Sequence, residues 1–315
     1  MISDSKNKKL RLIFMGTPEF SLPSLSSLIR NDAYEIVGVF TQPDKPVGRD
    51  QIITPPPVKR LALENNLNVF QPEKIKTEVE TIKNLKPDLI VVVAYGKIIP
   101  QTILDIPTFA CINVHASLLP KYRGAACLNA PILNGDKKTG VTIMVMEAGL
   151  DTGPILRQIE LELKGQESLE IVHDKLSTLG AELLISTLKD FVKGKIFPQI
   201  QDESKASYIK TLSKEDGRID WTKSAQEIER MVRAYNPWPG TFSLNDNKII
   251  KIIRVENEIL KGDNHKIGES FDNNGRLAIQ CGQDSLVILE LQAAGKKPMD
   301  SKSFLRGTKI DALFV

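Results

Sequence analysis

Long apolar runs are missing from this chain. The lysines near its N-terminus are followed by a short apolar stretch that Gly16, Thr17 and Pro18 end at once, so neither a signal peptide nor a membrane span is expected. Cysteine is scarce: Cys111, Cys127 and Cys281 are odd in number and far apart. That argues against a disulfide framework or a close-set zinc site and points to a reducing, cytoplasmic compartment. The patterns HExxH, GxxxxGK[ST], GxSxG and full GxGxxG are absent, which withdraws the usual support for metalloprotease, nucleotide-hydrolysing, serine-esterase and dinucleotide chemistry. No metal is expected. The net charge of +3 is small, and residues 205–315, with 18 Lys+Arg against 15 Asp+Glu, hold all of it. A phosphate-bearing partner is permitted there, though not announced.

What is present is 315 residues, 41% hydrophobic and 26% charged, enough for a large core and a second module. Residues 10–15 read as a strand entering the Gly16-Thr17-Pro18 turn, 19–30 as a helix and 36–41 as a second strand. A proline-rich loop, PDKPVGRDQIITPPP, precedes a helix at 57–66 with Pro57 in its first turn. Further strands are expected at 69–70, 88–94, 109–114, 139–146 and 154–163, and helices at 74–85, 124–134 and 168–190. The unbroken run DLIVVVA is what a strand buried on both faces looks like. This alternation predicts an α/β domain with a mostly parallel sheet. Residues 191–208 are polar and irregular and read as a linker; beyond them come a helix at about 223–234 and short strands near 240–244, 247–255, 276–280 and 285–293, as in a small barrel or sandwich. The expected division is 1–190, linker 191–208, and 209–315.

The chemistry-bearing segment is CINVHASLLPKYRGAA. Asn113 and His115 stand at i and i+2 near a strand end, so both face one side. Crevices in open α/β sheets lie beyond the carboxyl ends of the strands. An amide there can hydrogen-bond a developing oxyanion, and an imidazole can exchange a proton near neutral pH. Asp151, in the loop MEAGLDTGPIL, is the natural carboxylate to orient that imidazole. The competing reading, local backbone capping, stays open for all three. His173 and His265 read as structural or solvated. Gly16-Thr17-Pro18 reads as a close-approach turn or as part of a substrate pocket.

Several longer stretches carry a resemblance: FMGTPEF, VFTQPDKPVGR, PDLIVVVAYGKIIP, INVHASLLPKYRGAA, TGVTIMVMEAGLDTGPIL, IDWTKSAQEIERMVRAYNPWPG and LELQAAGKKPM. In these the chain resembles the methionyl-tRNA formyltransferase family over nearly its whole length. The resemblance implies a Rossmann-like formyltransferase domain followed by a small C-terminal β-barrel resembling an OB-fold. It implies 10-formyltetrahydrofolate as donor and methionyl initiator tRNA as acceptor, no membrane association and a monomer. Asn113, His115 and Asp151 match the family's catalytic residues. By the same resemblance the folate rests near Val93, Ala94, Tyr95, Gly96 and Ile98, with Ser117, Leu118, Leu119 and Pro120 shaping the floor. Phe14, Gly16, Thr17 and Pro18 border the methionine. Lys45 and Arg49, with Lys59 and Arg60 just beyond, are the expected tRNA contacts of the insertion loop, joined by Arg218, Arg233, Lys296 and Lys297 downstream. Two departures stand out: Asp50 and Gln51 follow Arg49 where a more basic loop is common, and Cys127 replaces a proline. Trp221 and Trp238 read as packing residues at the domain junction. The alternative acceptor is an amino-sugar nucleotide, with the same folate donor and reacting centre.

Overall fold

A computed structural model describes residues 9–48, 50–246, 248–306 and 313–315. They group into two compact units: residues up to 124 with 139–161 and 173–208, and residues 125–138, 162–172 and 209–315.

The first unit is built on a seven-stranded sheet. Its elements are β1 (Leu10–Gly16), α1 (Leu22–Ile29), β2 (Tyr34–Phe40), β3 (Lys45–Val47), β4 (Ile52–Thr54), α2 (Pro57–Glu64), β5 (Val69–Phe70), α3 (Val79–Leu85), β6 (Leu89–Val93), α4 (Gln101–Leu104) and β7 (Ala110–His115). Beyond an excursion through α5 (Ala130–Asn134) come β8 (Lys138–Val145), β9 (Ile155–Glu162) and α6 (Leu169–Val192). The strand order is β5-β2-β1-β6-β7-β8-β9. The first five strands run parallel and β8 is antiparallel to β7, so the Rossmann-like, mostly parallel sheet expected from the sequence is present. The chain leaves β1 toward β2 and later returns to β1's other side as β6, which makes the β1/β6 boundary a topological switch point.

Burial explains why these segments are strands. Every residue of β6 is buried, as a central parallel strand covered on both faces requires. Ile13, Met15, Ile90 and Val92 pack with Phe40, Ile82 and Ile103 in one core cluster. Each such side chain contributes about 1.5–3 kcal/mol when fully buried. Within this unit α6 buries Leu176, Leu184 and Leu188 along one stripe, and the Ser177 hydroxyl donates to the Phe20 carbonyl at 3.0 Å.

The second unit holds α5 and α7 (Ala225–Tyr235) with β10 (Thr241–Asn245), β11 (Lys248–Val255), β12 (Ser270–Asp272), β13 (Leu277–Gln280), β14 (Ser285–Ala293), β15 (Met299–Asp300) and α8 (Ser301–Leu305). Its sheet is antiparallel, ordered β10-β11-β14-β13-β12, with β15 on β14. Ser224 and Glu227 form a reciprocal capping box at the start of α7. Ile228, Val232, Ile252, Leu277, Ile288 and Trp221 meet in its core. The Trp221 indole N–H is satisfied there by the Ser243 hydroxyl at 2.9 Å.

Some sequence expectations are corrected. The helix expected at 124–134 exists only as Ala130–Asn134. Gly124 has φ +107 and Pro131 lies in the first turn, where its missing N–H costs nothing; a longer helix would have placed that proline inside. The proline-rich loop contains the β3–β4 hairpin, with Val47, Ile52 and Ile53 exposed. Trp238 is 58% exposed, so unlike Trp221 it is not a packing residue.

Candidate active site

Asn113 and His115 occupy the last turns of β7, paired on one flank with Met144 and Thr142 of β8. Both are buried, at 9% and 6% exposure. Among the described residues no hydrogen bond engages the Asn113 amide, which leaves its N–H groups free for a ligand. The imidazole is held at one nitrogen and faces a carboxylate at the other. Nε2 lies 3.1 Å from the Tyr122 carbonyl, and a carbonyl only accepts, so this contact selects the tautomer with its proton on Nε2. Nδ1 then carries the lone pair and faces Asp151 Oδ2 at 3.7 Å. That distance exceeds a hydrogen bond and leaves Nδ1 able to take a proton beside a carboxylate.

Asp151 reaches the site from the loop between β8 and β9, with its backbone at φ +52. Its Oδ2 accepts the Gly124 N–H at 2.8 Å. Its carbonyl and that of Gly153 accept the two N–H groups of Gln201, at 2.8 and 2.7 Å. Gln201 in turn accepts from Arg123 Nε and Nη2, at 3.2 and 2.8 Å. Arg123 is fully buried and also bonds both oxygens of Glu203, at 2.9 and 2.6 Å, and the Tyr208 hydroxyl at 2.6 Å. The hydrogen bonds that this guanidinium donates to Glu203 are the main cause holding it above its ordinary pKa, against burial. The sequence reading contained Tyr122, Arg123, Gln201 and Ser207 only as parts of a motif or a linker. Long polar side chains in an irregular stretch carry no periodic signal.

The residues expected around the folate stand at and beyond the carboxyl ends of β6 and β7, and those expected beside the methionine at the carboxyl end of β1. Ala94 is left-handed, at φ +47. Thr17 Oγ1 donates to the Tyr95 carbonyl at 3.1 Å, and Ser21 Oγ to the Val93 carbonyl at 2.6 Å. A Cβ on Gly16 would lie 2.9 Å from the Val93 carbonyl oxygen and 2.7 Å from the Phe14 ring, so glycine is needed for these strands to approach. Phe14 itself is fully buried. Burial, with the Glu78 charge second, pushes the Tyr95 phenol up to about 12, and its hydroxyl has no hydrogen-bond partner among the described residues. Ile98 is 89% exposed. The Leu119-Pro120 bond is cis, and the turn is pinned by Ser117 Oγ on the Lys121 carbonyl at 2.7 Å and by Thr142 Oγ1 on the Ser117 carbonyl at 2.7 Å. Gln158 adds a bond to the Leu119 carbonyl at 2.9 Å.

The expected tRNA contacts differ among themselves. Lys45 is exposed and donates to Gln42 at 2.7 Å. Arg49 lies outside the described residues. Lys59 is committed to Asp44, at 2.8 Å. Arg233 is committed to Glu229 and to the Glu167 carbonyl. Arg60, Arg218, Lys296 and Lys297 are exposed. His173 pairs with Asp174 at 2.8 Å and His265 stacks on Phe271 with centroids 3.9 Å apart, as structural histidines do. Among the described residues no group of three or more His, Cys, Asp or Glu is arranged to hold a metal, and no helix is long and apolar enough to cross a membrane.

Comparison with known proteins bears on the family of the chain. Residues 8–188 match the family described as formyl transferase, and residues 211–309 match the formyl transferase C-terminal domain. A protein of Clostridium novyi (strain NT) named methionyl-tRNA formyltransferase is 44% identical over 307 residues, covering 96% of this chain and 98% of its own. One of the same name from Citrifermentans bemidjiense is 46% identical, covering 96% and 94%. Among solved structures, the N-formyltransferase of Helicobacter canadensis bound to folinic acid and dTDP-3-aminofucose aligns with a TM-score of 0.67 at 20% identity, over 90% of this chain and 99% of its own. HypX from Aquifex aeolicus in complex with tetrahydrofolic acid aligns at 0.63 and 19% identity, over 96% of this chain and 49% of its own. Those two likenesses concern the fold alone, whereas the family matches span both units: the chain belongs to the formyl transferase family.

Proposed function

We propose that the chain moves the formyl group of 10-formyltetrahydrofolate onto the α-amino group of methionyl initiator tRNA. The observation that carries the reading is the convergence of an unengaged Asn113 amide, the His115 imidazole and the Asp151 carboxylate at the end of β7, in a chain whose full-length relatives are named for this reaction. The folate is assigned to the crevice beside them, where Leu118 and Leu119 would give apolar walls and the turn through Ala94 and Gly96, both at positive φ, would offer backbone polar groups to a heterocycle. Val93, Tyr95, Ile98, Ser117 and Pro120 complete that side, and Phe14, Gly16, Thr17 and Pro18 border the acceptor.

In the reaction the methionyl nitrogen forms a bond to the formyl carbon while the carbonyl electron pair moves to oxygen. Asn113 donates to that oxygen. Nδ1 of His115 takes the proton that the amine loses, and Asp151 supports the resulting imidazolium. The bond from carbon to the folate nitrogen then breaks, and that nitrogen leaves with the proton. Holding both reactants in one crevice supplies much of the remaining acceleration.

The antiparallel sheet of the second unit is read as an OB-like barrel that tracks the tRNA backbone, and residues 209–315 as its domain. Exposed Lys45, Arg60, Arg218, Lys296 and Lys297, together with Arg49, are assigned to phosphates. Lys59 and Arg233 are left out of that set, because each already neutralises a carboxylate. The test is labelled formyl transfer by Asn113→Ala and His115→Ala beside the parent protein. Each variant should lose about 10²–10³-fold in kcat, with tRNA binding retained. Retained turnover would refute the assignment.

A further inference from the structure

Three successive residues hold the reacting centre from behind. The Tyr122 carbonyl fixes the imidazole, the Arg123 guanidinium orients Gln201, and the Gly124 N–H binds the Asp151 carboxylate. These three are themselves anchored on residues 199–208, the stretch whose composition reads as a linker. Arg123 N–H donates to the Ser207 carbonyl at 2.8 Å, Tyr122 N–H to the Ser207 hydroxyl at 2.9 Å, and Ser207 N–H to the Pro120 carbonyl at 3.2 Å.

We propose that Gln201 is a positioning residue of the reaction: its amide clamps the left-handed Asp151 turn and so fixes the distance between the carboxylate and His115. Gln201 is 5% exposed, and its two ends have opposite chemistry. Its oxygen faces a guanidinium and its nitrogen faces two carbonyls, those of Asp151 and Gly153. Only a primary amide satisfies both ends at once. A carboxylate would keep the Arg123 contact yet turn an oxygen toward two carbonyl oxygens. An apolar replacement would take a hydrogen bond from each of the Arg123 Nε and the Asp151 and Gly153 carbonyls. Asp151 sits at φ +52, a backbone state that persists where its surroundings hold it. The two hydrogen bonds that this one amide donates to the carbonyls of residues 151 and 153 close that turn. Because the His115 to Asp151 separation is 3.7 Å, a small relaxation of the loop changes whether the carboxylate supports the charged imidazole.

The inference rests on Asp151 and His115 acting as proposed above, so its test has an arm that needs no turnover. Gln201→Glu and the shorter Gln201→Asn are assayed for formyl transfer, and the His115 imidazole nitrogen resonances are titrated in the free protein. With only three histidines in the chain, His173→Gln and His265→Gln identify the His115 signals. Gln201→Glu should lower kcat by about 10²-fold, the loss associated with an ångström-scale misplacement, while KM for both substrates changes by about twofold or less. Its His115 titration midpoint should move, and Gln201→Asn should show the same changes in milder form. Should Gln201→Glu not fold, Gln201→Asn decides by the same two readouts. An unchanged His115 titration in a folded variant overturns the proposal, as does a loss confined to tRNA KM. Were the parent protein inactive in transfer while the titration moved, the functional reading would fail and the clamp would stand.

Discussion

Replacing Arg123 with methionine keeps the aliphatic volume and removes every donor, so its cost can be worked from the partners left behind. The Gln201 carbonyl oxygen is buried and loses both of its hydrogen bonds, a penalty of about 1–3 kcal/mol. Glu203 has a side chain 66% exposed and rehydrates on release, so solvent screens its ion pair and the loss of that pair adds little. Removing the guanidinium also relieves its own desolvation, which offsets part of this. The net expectation is about 1–2 kcal/mol, below the roughly 3–5 kcal/mol seen when a pair buried at both ends is broken. Both tryptophans lie in the second unit, so their fluorescence does not report on the first unit directly. Native-state hydrogen exchange at the amides of β7 reports on the first unit directly. A change below about 0.5 kcal/mol, the ordinary range for a surface substitution, would refute the reasoning: the buried guanidinium would then return no more than its desolvation costs.

Two other outcomes follow from the same geometry. A Cβ on Gly153 would lie 1.9 Å from the Val145 carbonyl oxygen, a backbone atom that cannot swing aside; Gly153→Ala should therefore cost more than about 2 kcal/mol, a large effect for a point substitution, and lower turnover, and near-parent values of both would be contrary. The Glu203 carboxyl is held below its ordinary range chiefly by its hydrogen bond to Arg123. Its folded pKa is depressed, so its stabilising contribution is present above the unfolded value of about 4.3 and is lost as pH falls through the lower folded value. Glu203→Gln should lower stability above about pH 4.3 and converge on the parent as pH falls through the lower folded value, which flattens the acid limb; an acid limb identical to the parent's would remove Glu203 from the account.

The sequence made the first unit legible because central parallel strands are buried on both faces and therefore read as apolar runs; β6 and β7 are the clearest cases. Asn113 and His115 were legible for a related reason, as polar side chains interrupting such a run at its carboxyl end. The acceptor, by contrast, entered through resemblance, since a net charge of +3 singles out no partner. What stayed hidden depends on hydrogen bonds between residues distant in sequence. The bond between Arg123 and Gln201 spans 78 residues, and that between Gln201 and Asp151 spans 50. Neither leaves a periodic trace, and the polar stretch that supplies Gln201, Glu203 and Ser207 has the composition of a linker. The β3–β4 hairpin was missed because it buries almost nothing and so has no apolar alternation to betray it.

The central claim is most directly tested by transfer of labelled formyl from 10-formyltetrahydrofolate in the presence of methionyl initiator tRNA, methionyl elongator tRNA and an amino-sugar nucleotide. Label on the initiator tRNA, in preference to the other two, is the predicted result. Label on the sugar with none on either tRNA would leave the Asn113, His115 and Asp151 chemistry standing and contradict the acceptor.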